Sequence, residues 1–94
     1  MSLSAEGIRL VRQVAATVRE RRKALGLTQP QAAERARVSK STWYHLELGD
    51  RDVTLRTLAR AAAALDCTVG VLLEAPIPGA ALPTDNDWSN YAHP

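Results

Sequence analysis

Apolar residues recur every three or four positions along most of the first 75 residues, the spacing of one face of an α-helix. No stretch alternates apolar and polar residues for long, as a half-buried strand does. The pattern predicts five helices, over about 5–25, 29–36, 40–48, 55–65 and 69–74. It therefore favours an all-α fold.

Short polar residues and glycines mark the ends of these helices. Hydroxyl residues stand at the expected N-cap positions Ser4, Thr28, Ser39, Thr54 and Thr68. Gly26 and Gly49 follow the first and third helices, where a left-handed residue ends a helix at little cost. Only Arg37 and Val38 connect the second helix to the third, so the sequence predicts a helix, a tight turn and a helix.

The inward positions of the helices define the predicted core. These positions are Val18, Leu25, Ala33, Val38, Trp43, Leu46, Leu55, Leu58, Leu65 and Leu72. Alanines on the second helix let another helix approach closely. A chain of 94 residues is long enough for one such core and too short for a second catalytic domain.

The composition changes after residue 75. Residues 76–94 are rich in Pro, Gly, Asp and Asn and are predicted to form an irregular tail after a domain spanning 1–75. Trp88 and Tyr91 are aromatic side chains of the kind that anchor a protein partner, and packing on the domain itself is the alternative for both.

Charge and reactive residues exclude several classes of protein. The net charge of +2 is compatible with a polyanionic partner but is also common in other soluble proteins. The single Cys67 cannot form an internal disulfide, and no histidine, cysteine or carboxylate set has the spacing of a metal or nucleophile site. No apolar run is long enough to cross a bilayer. We therefore expect a cytoplasmic protein without cofactor, metal, membrane contact or enzymatic activity.

The segment between Arg22 and Leu73 carries several motifs at fixed spacing. They are Leu25-Gly26-Leu27-Thr28-Gln29, Ala33, Val38-Ser39, Leu46-Glu47-x-Gly49-x-Arg51 and Leu55-x-Thr57-Leu58. Together they closely resemble the Xre/Cro (lambda-repressor-like) family of helix-turn-helix repressors. The resemblance implies a five-helix DNA-binding domain whose third helix enters the major groove while the second crosses the backbone.

The same resemblance, with the outward positions of the third helix, predicts the residues that contact double-stranded DNA. The expected base contacts are Lys40, Ser41, Tyr44 and His45, and the expected phosphate contacts are Thr28, Gln29, Ser39 and Arg51. Lysine can donate to guanine, and serine suits several bases. The resemblance also implies that Arg22 and Glu47 form a pair joining the first helix to the third.

Two residues depart from the family pattern. Arg37 stands at a turn position usually held by glycine, so we expect either an altered turn or a cost on the order of 1 kcal/mol. Trp43 replaces a smaller core residue, which would move the third helix away from the second.

Residues 68–73 leave a further alternative, because Val69 and Val71 alternate as in a strand. Thr68, Leu72 and Leu73 match the family, and this match favours the helix.

Two functions remain open. The first is a sequence-specific transcriptional regulator, such as a repressor, that binds as a homodimer because one short helix reads few base pairs. The alternative is a DNA-binding antitoxin that represses its own operon and binds a toxin through the tail, with Trp88 and Tyr91 as anchors, or through another surface.

Overall fold

The computed structural model describes residues 5–74, which fold into five α-helices and, within that range, no strand. The helices are α1 (Ala5–Ala24), α2 (Gln29–Ala36), α3 (Lys40–Leu48), α4 (Leu55–Ala64) and α5 (Val69–Leu73). The all-α prediction is confirmed, and no predicted helix end within this range is displaced by more than about one residue. The predicted cap at Ser4 and the tail lie outside the described residues.

Hydroxyl side chains begin each of the last four helices. The oxygens of Thr28, Ser39, Thr54 and Thr68 each accept the backbone N–H three residues further on. At Thr28 the cap is reciprocal, because the Gln31 side chain accepts the Thr28 N–H at 2.8 Å. Each cap gives a partner to an N–H group that has none within its helix. The start of each element is therefore set locally by the sequence.

The core combines a few large side chains with the small faces of α2 and α4. Its largest fully buried side chains are Val18, Trp43, Leu65 and Leu72. α2 packs against both α3 and α4, and its inward residues are the buried alanines Ala32, Ala33 and Ala36. These small side chains leave room for Trp43, which is 0% exposed. The bulk of the tryptophan is thus accommodated inside the core.

The prediction of a buried position is wrong for two residues. Leu25 is 42% exposed and Leu55 is 77% exposed. Both lie at helix ends, one just after α1 and the other at the first position of α4, where no neighbouring helix covers the apolar face. Val38 is half-buried at the edge of the core. The remaining predicted core residues are buried: Val18, Ala33, Trp43, Leu46, Leu58, Leu65 and Leu72.

Two local alternatives are also decided by the structure. The strand considered for 68–73 is wrong, because Thr68 Oγ1 accepts the Val71 N–H at 3.2 Å and caps a helical turn. The turn at Arg37 is not altered: the residue has φ 59 and ψ 43, the left-handed conformation that a glycine there adopts easily. The Arg60 guanidinium donates to the Arg37 carbonyl at 3.3 Å. Arg37 therefore adopts a backbone conformation that is strained for a residue other than glycine.

Candidate nucleic-acid interface

α3 has one face in the core and one face in solvent. Its buried residues are Trp43, Leu46 and Glu47. On the opposite face Tyr44 is 50% exposed and Leu48 is 52% exposed. The inner face of α3 thus packs against the rest of the domain, and its outer face is exposed and accessible to a partner.

Lys40 and Ser41 form the first turn of this outer face. Both are exposed, and neither side chain makes a hydrogen bond or ion pair with another described residue. Their ammonium and hydroxyl groups are therefore available to an external partner. In a helix-turn-helix, the N-terminal residues of the second helix of the motif are those that meet base edges.

Tyr44 and His45 occupy the next turn, and His45 is more restrained than the sequence predicts. Its Nδ1 lies 3.0 and 3.1 Å from the two carboxylate oxygens of Asp50. The Tyr44 ring meets the imidazole edge to face, with ring centroids 5.3 Å apart. Asp50 was not among the predicted site residues. Its signal in the sequence is its position just after Gly49, whose left-handed backbone turns the chain.

Three of the four predicted phosphate-contact residues already have internal partners. The hydroxyl oxygens of Thr28 and Ser39 accept backbone N–H groups in the caps of α2 and α3. The Gln29 side-chain amide donates to Glu47 Oε1 at 3.0 Å, which leaves its second N–H for another acceptor. Arg51 is exposed, and its guanidinium makes no hydrogen bond or ion pair within the described part of the chain.

A buried carboxylate joins the elements that pack behind the outer face of α3. Glu47 is 7% exposed, and Arg22 contacts it in a bidentate manner, with Nε donating to Oε2 and Nη2 donating to Oε1 at 3.0 Å. The structure therefore contains the expected pair. The Trp43 indole N–H donates to the same carboxylate, as does Gln29. A further Arg22 nitrogen donates to the Leu27 carbonyl at 2.9 Å. We call Arg22, Gln29, Trp43 and Glu47 the carboxylate network.

The environment of Glu47 favours its charged form. Burial by itself raises the pKa of this carboxyl, but the hydrogen bonds from Arg22, Gln29 and Trp43 and the positive charge of Arg22 outweigh it. The pKa of Glu47 is therefore lowered. The charged carboxylate ties α1 and the N-terminus of α2 to α3. The part that Gln29 and Trp43 play here was not predicted from the sequence, although the four-residue spacing of Trp43 and Glu47 places both on one face of a helix.

A cavity of about 190 Å³ beside α3 is lined by polar residues that include Ser41, His45 and Arg51. Within residues 5–74 no group of three or more His, Cys, Asp or Glu side chains is placed to hold a metal. No helix in that range has the length and apolar character needed to cross a bilayer. Trp88 and Tyr91, the predicted partner anchors, lie outside the described residues.

Comparison with known proteins gives a consistent result. A family model described as a helix-turn-helix domain matches residues 13–75, more than half of the chain. The clp gene regulator ClgR from Corynebacterium glutamicum is 33% identical, with a TM-score of 0.64 over 68% of this chain and 68% of its own. The restriction-modification controller protein C.AhdI from Aeromonas hydrophila is 31% identical, with a TM-score of 0.63 over 66% of this chain and 94% of its own.

A third structure was solved with DNA. SinR, the master regulator for biofilm formation, is 27% identical, with a TM-score of 0.62 over 65% of this chain and 98% of its own. No curated protein matches the sequence. The match over residues 13–75 and the five-helix fold agree with the sequence motifs. The chain belongs to the helix-turn-helix domain family of Xre/Cro (lambda-repressor-like) DNA-binding regulators.

Proposed function

We propose that the protein is a cytoplasmic transcriptional regulator that binds specific double-stranded DNA sequences by placing α3 in the major groove. The observation that carries the proposal is the first turn of α3, where Lys40 and Ser41 are exposed and have no internal side-chain partner. The DNA complex of SinR supports it by similarity. The proposal includes no catalytic step.

The two halves of the motif would divide recognition between bases and backbone. Lys40 can donate to O6 or N7 of guanine, and Ser41 can pair with several bases. Arg51 and the backbone N–H of Gln29, at the start of α2, are suited to phosphate oxygens; Pro30 has no N–H, and the N–H of Gln31 is bonded to Thr28. The carboxylate network would hold these two groups of contacts at a fixed separation.

We further propose that the protein binds as a homodimer. A helix of nine residues reaches only a few base pairs with its first turns. A second copy related by a two-fold axis would double the site and make it palindromic. The half-sites would lie roughly 34 Å apart, about one turn of B-DNA.

Selection of bound sequences from a random DNA pool tests the proposal directly. We expect an enriched palindrome, and we expect Lys40→Ala to lose about 1 kcal/mol of discrimination at one position of each half-site. Arg51→Ala should weaken binding to all sequences. It should also reduce the slope of the logarithm of the binding constant against the logarithm of the salt concentration by roughly one.

Arg35→Ala is the matched control for both substitutions. It also removes one positive charge, but Arg35 lies at the other end of α2, where its guanidinium is 3.5 Å from Asp66. We expect it to bind the selected sequence nearly as well as the unchanged protein. A pool without an enriched motif, or equal effects of the Lys40 and Arg35 substitutions, would refute the proposal.

A further inference from the structure

His45 and Asp50 meet at the end of α3, beside the residues proposed to read bases. Nδ1 of His45 lies within hydrogen-bond distance of both Asp50 oxygens, at 3.0 and 3.1 Å. The His45 side chain is 22% exposed and that of Asp50 is 41% exposed. An ionised carboxylate can only accept hydrogen bonds. The hydrogen in this contact must therefore be carried by Nδ1 of the histidine.

We propose that Asp50 sets the tautomer of His45 and so determines which bases His45 reads; this role rests on the proposed function. When Nδ1 of a neutral imidazole carries the hydrogen, Nε2 has none and can only accept. The amino groups of adenine and cytosine are the hydrogen-bond donors in the major groove. His45 would therefore select adenine or cytosine at the base that it contacts. Asp50 acts as a positioning residue and need not touch DNA.

Nothing else in the described structure competes for the second ring nitrogen. Nε2 of His45 makes no hydrogen bond to any described residue. The ionisable groups around the ring are Asp50 itself, the Tyr44 phenol, and Arg51 and Asp52, which line the same cavity as His45. Adding a proton to the ring would turn Nε2 into a donor. The protonated form would favour guanine or a phosphate instead.

Asp50→Ala is the substitution that separates these possibilities. Without the carboxylate no partner holds the hydrogen on Nδ1. A neutral histidine side chain by itself favours the tautomer with the hydrogen on Nε2. Nε2 then donates. Guanine and thymine, which offer only acceptors, become readable, cytosine is lost because it offers only a donor, and adenine is compatible with either form because N7 is an acceptor. Asp52→Ala is the matched control: it removes an equal charge from the cavity that His45 lines, but the Asp52 side chain makes no hydrogen bond or ion pair with a described residue.

The first measurement needs no DNA. Long-range ¹H–¹⁵N correlation spectra at about pH 8 distinguish the two imidazole tautomers, and His45→Ala identifies the His45 signals against those of His93. We expect the hydrogen on Nδ1 in the unchanged protein and in Asp52→Ala, and on Nε2 in Asp50→Ala. Asp50→Asn, which keeps the side-chain shape, tests the charge if the alanine variant folds poorly. A hydrogen on Nε2 in the unchanged protein, or the same tautomer in all variants, overturns the proposal.

The second measurement repeats the random-pool selection with these variants at about pH 8. At one base position of Asp50→Ala we expect guanine and thymine to gain on cytosine by roughly threefold to tenfold, the effect of one hydrogen bond. A tautomer change without a change of base preference overturns the base-reading role. A pool without any motif would instead refute the proposed function, while the spectra still decide the tautomer.

Discussion

Replacing Glu47 by glutamine keeps the shape of the side chain and removes the charge on which the carboxylate network depends. Arg22, Gln29 and Trp43 together direct four hydrogen bonds at the carboxylate. Glutamine offers one acceptor oxygen, and its NH₂ group would face N–H donors. The Arg22 guanidinium, with an 11% exposed side chain, would lose its counter-charge.

The expected loss of stability is large for a protein of this size. Removing one partner of a buried ion pair costs about 3 to 5 kcal/mol, because the other charge stays buried without compensation. A small domain has a total free energy of unfolding of about 5 to 15 kcal/mol. A loss of this size lowers the melting temperature of such a domain by roughly 12 °C or more. Glu47→Gln should therefore lose at least about a fifth of the free energy of unfolding.

Urea and thermal unfolding followed by far-UV circular dichroism measure this loss. Glu34→Gln is the control, since Glu34 is exposed on α2 and its side chain makes no hydrogen bond or ion pair with a described residue; we expect a change within about 0.5 kcal/mol. In a double-mutant cycle, Arg22→Met and Glu47→Gln together should cost clearly less than the sum of the two single changes. A loss below about 1 kcal/mol for Glu47→Gln, or additive effects in the cycle, would refute the reasoning.

Three further predictions follow from the backbone and from the lowered pKa of Glu47. Arg37→Gly should stabilise the domain by about 0.5 to 1 kcal/mol in urea unfolding, because a left-handed arginine costs more than the extra freedom of glycine; a loss would contradict this. Gly26→Ala should cost about 1 kcal/mol of backbone strain, and Gly49→Ala about 2 kcal/mol or more, since its Cβ would lie 3.1 Å from Ala15 Cβ; equal losses would exclude the steric explanation. Between the lowered pKa of Glu47 and its ordinary value of 4.5, the folded chain binds fewer protons than the unfolded chain. The Glu47 contribution to the unfolding free energy should be complete above this value and disappear as the pH falls through the lowered pKa. Unfolding measured from about pH 3 to 6 should show this component in the unchanged protein and not in Glu47→Gln.

The secondary structure was predictable because each helix is specified locally. The apolar period and the hydroxyl caps at Thr28, Ser39, Thr54 and Thr68 lie within one turn of the features that they determine. The failures at Leu25 and Leu55 have the opposite cause. An apolar period shows which side of a helix faces inward, but whether a terminal residue is covered depends on where neighbouring helices end.

The interface was predictable only in part. The exposure of Lys40, Ser41 and Tyr44 follows from the register of α3, which Trp43 and Leu46 fix by their burial. The internal partners of Gln29 and His45 do not follow from any one helix. Gln29 reaches a carboxylate 18 positions away, and the contact of His45 depends on how the chain turns after α3. Such contacts require the positions of several elements at once.

The two faces of α3 have a consequence for how such a protein can change its target. The buried side chains of α3, Trp43, Leu46 and Glu47, lie on its inner face, whereas the side chains of Lys40 and Ser41 make no hydrogen bond or ion pair with a described residue. Exchanges at these two positions should therefore leave stability within about 0.5 kcal/mol of its starting value. A library varied at both positions should yield mostly folded members. New binding preferences could then accumulate one substitution at a time, without a compensating repair elsewhere in the domain.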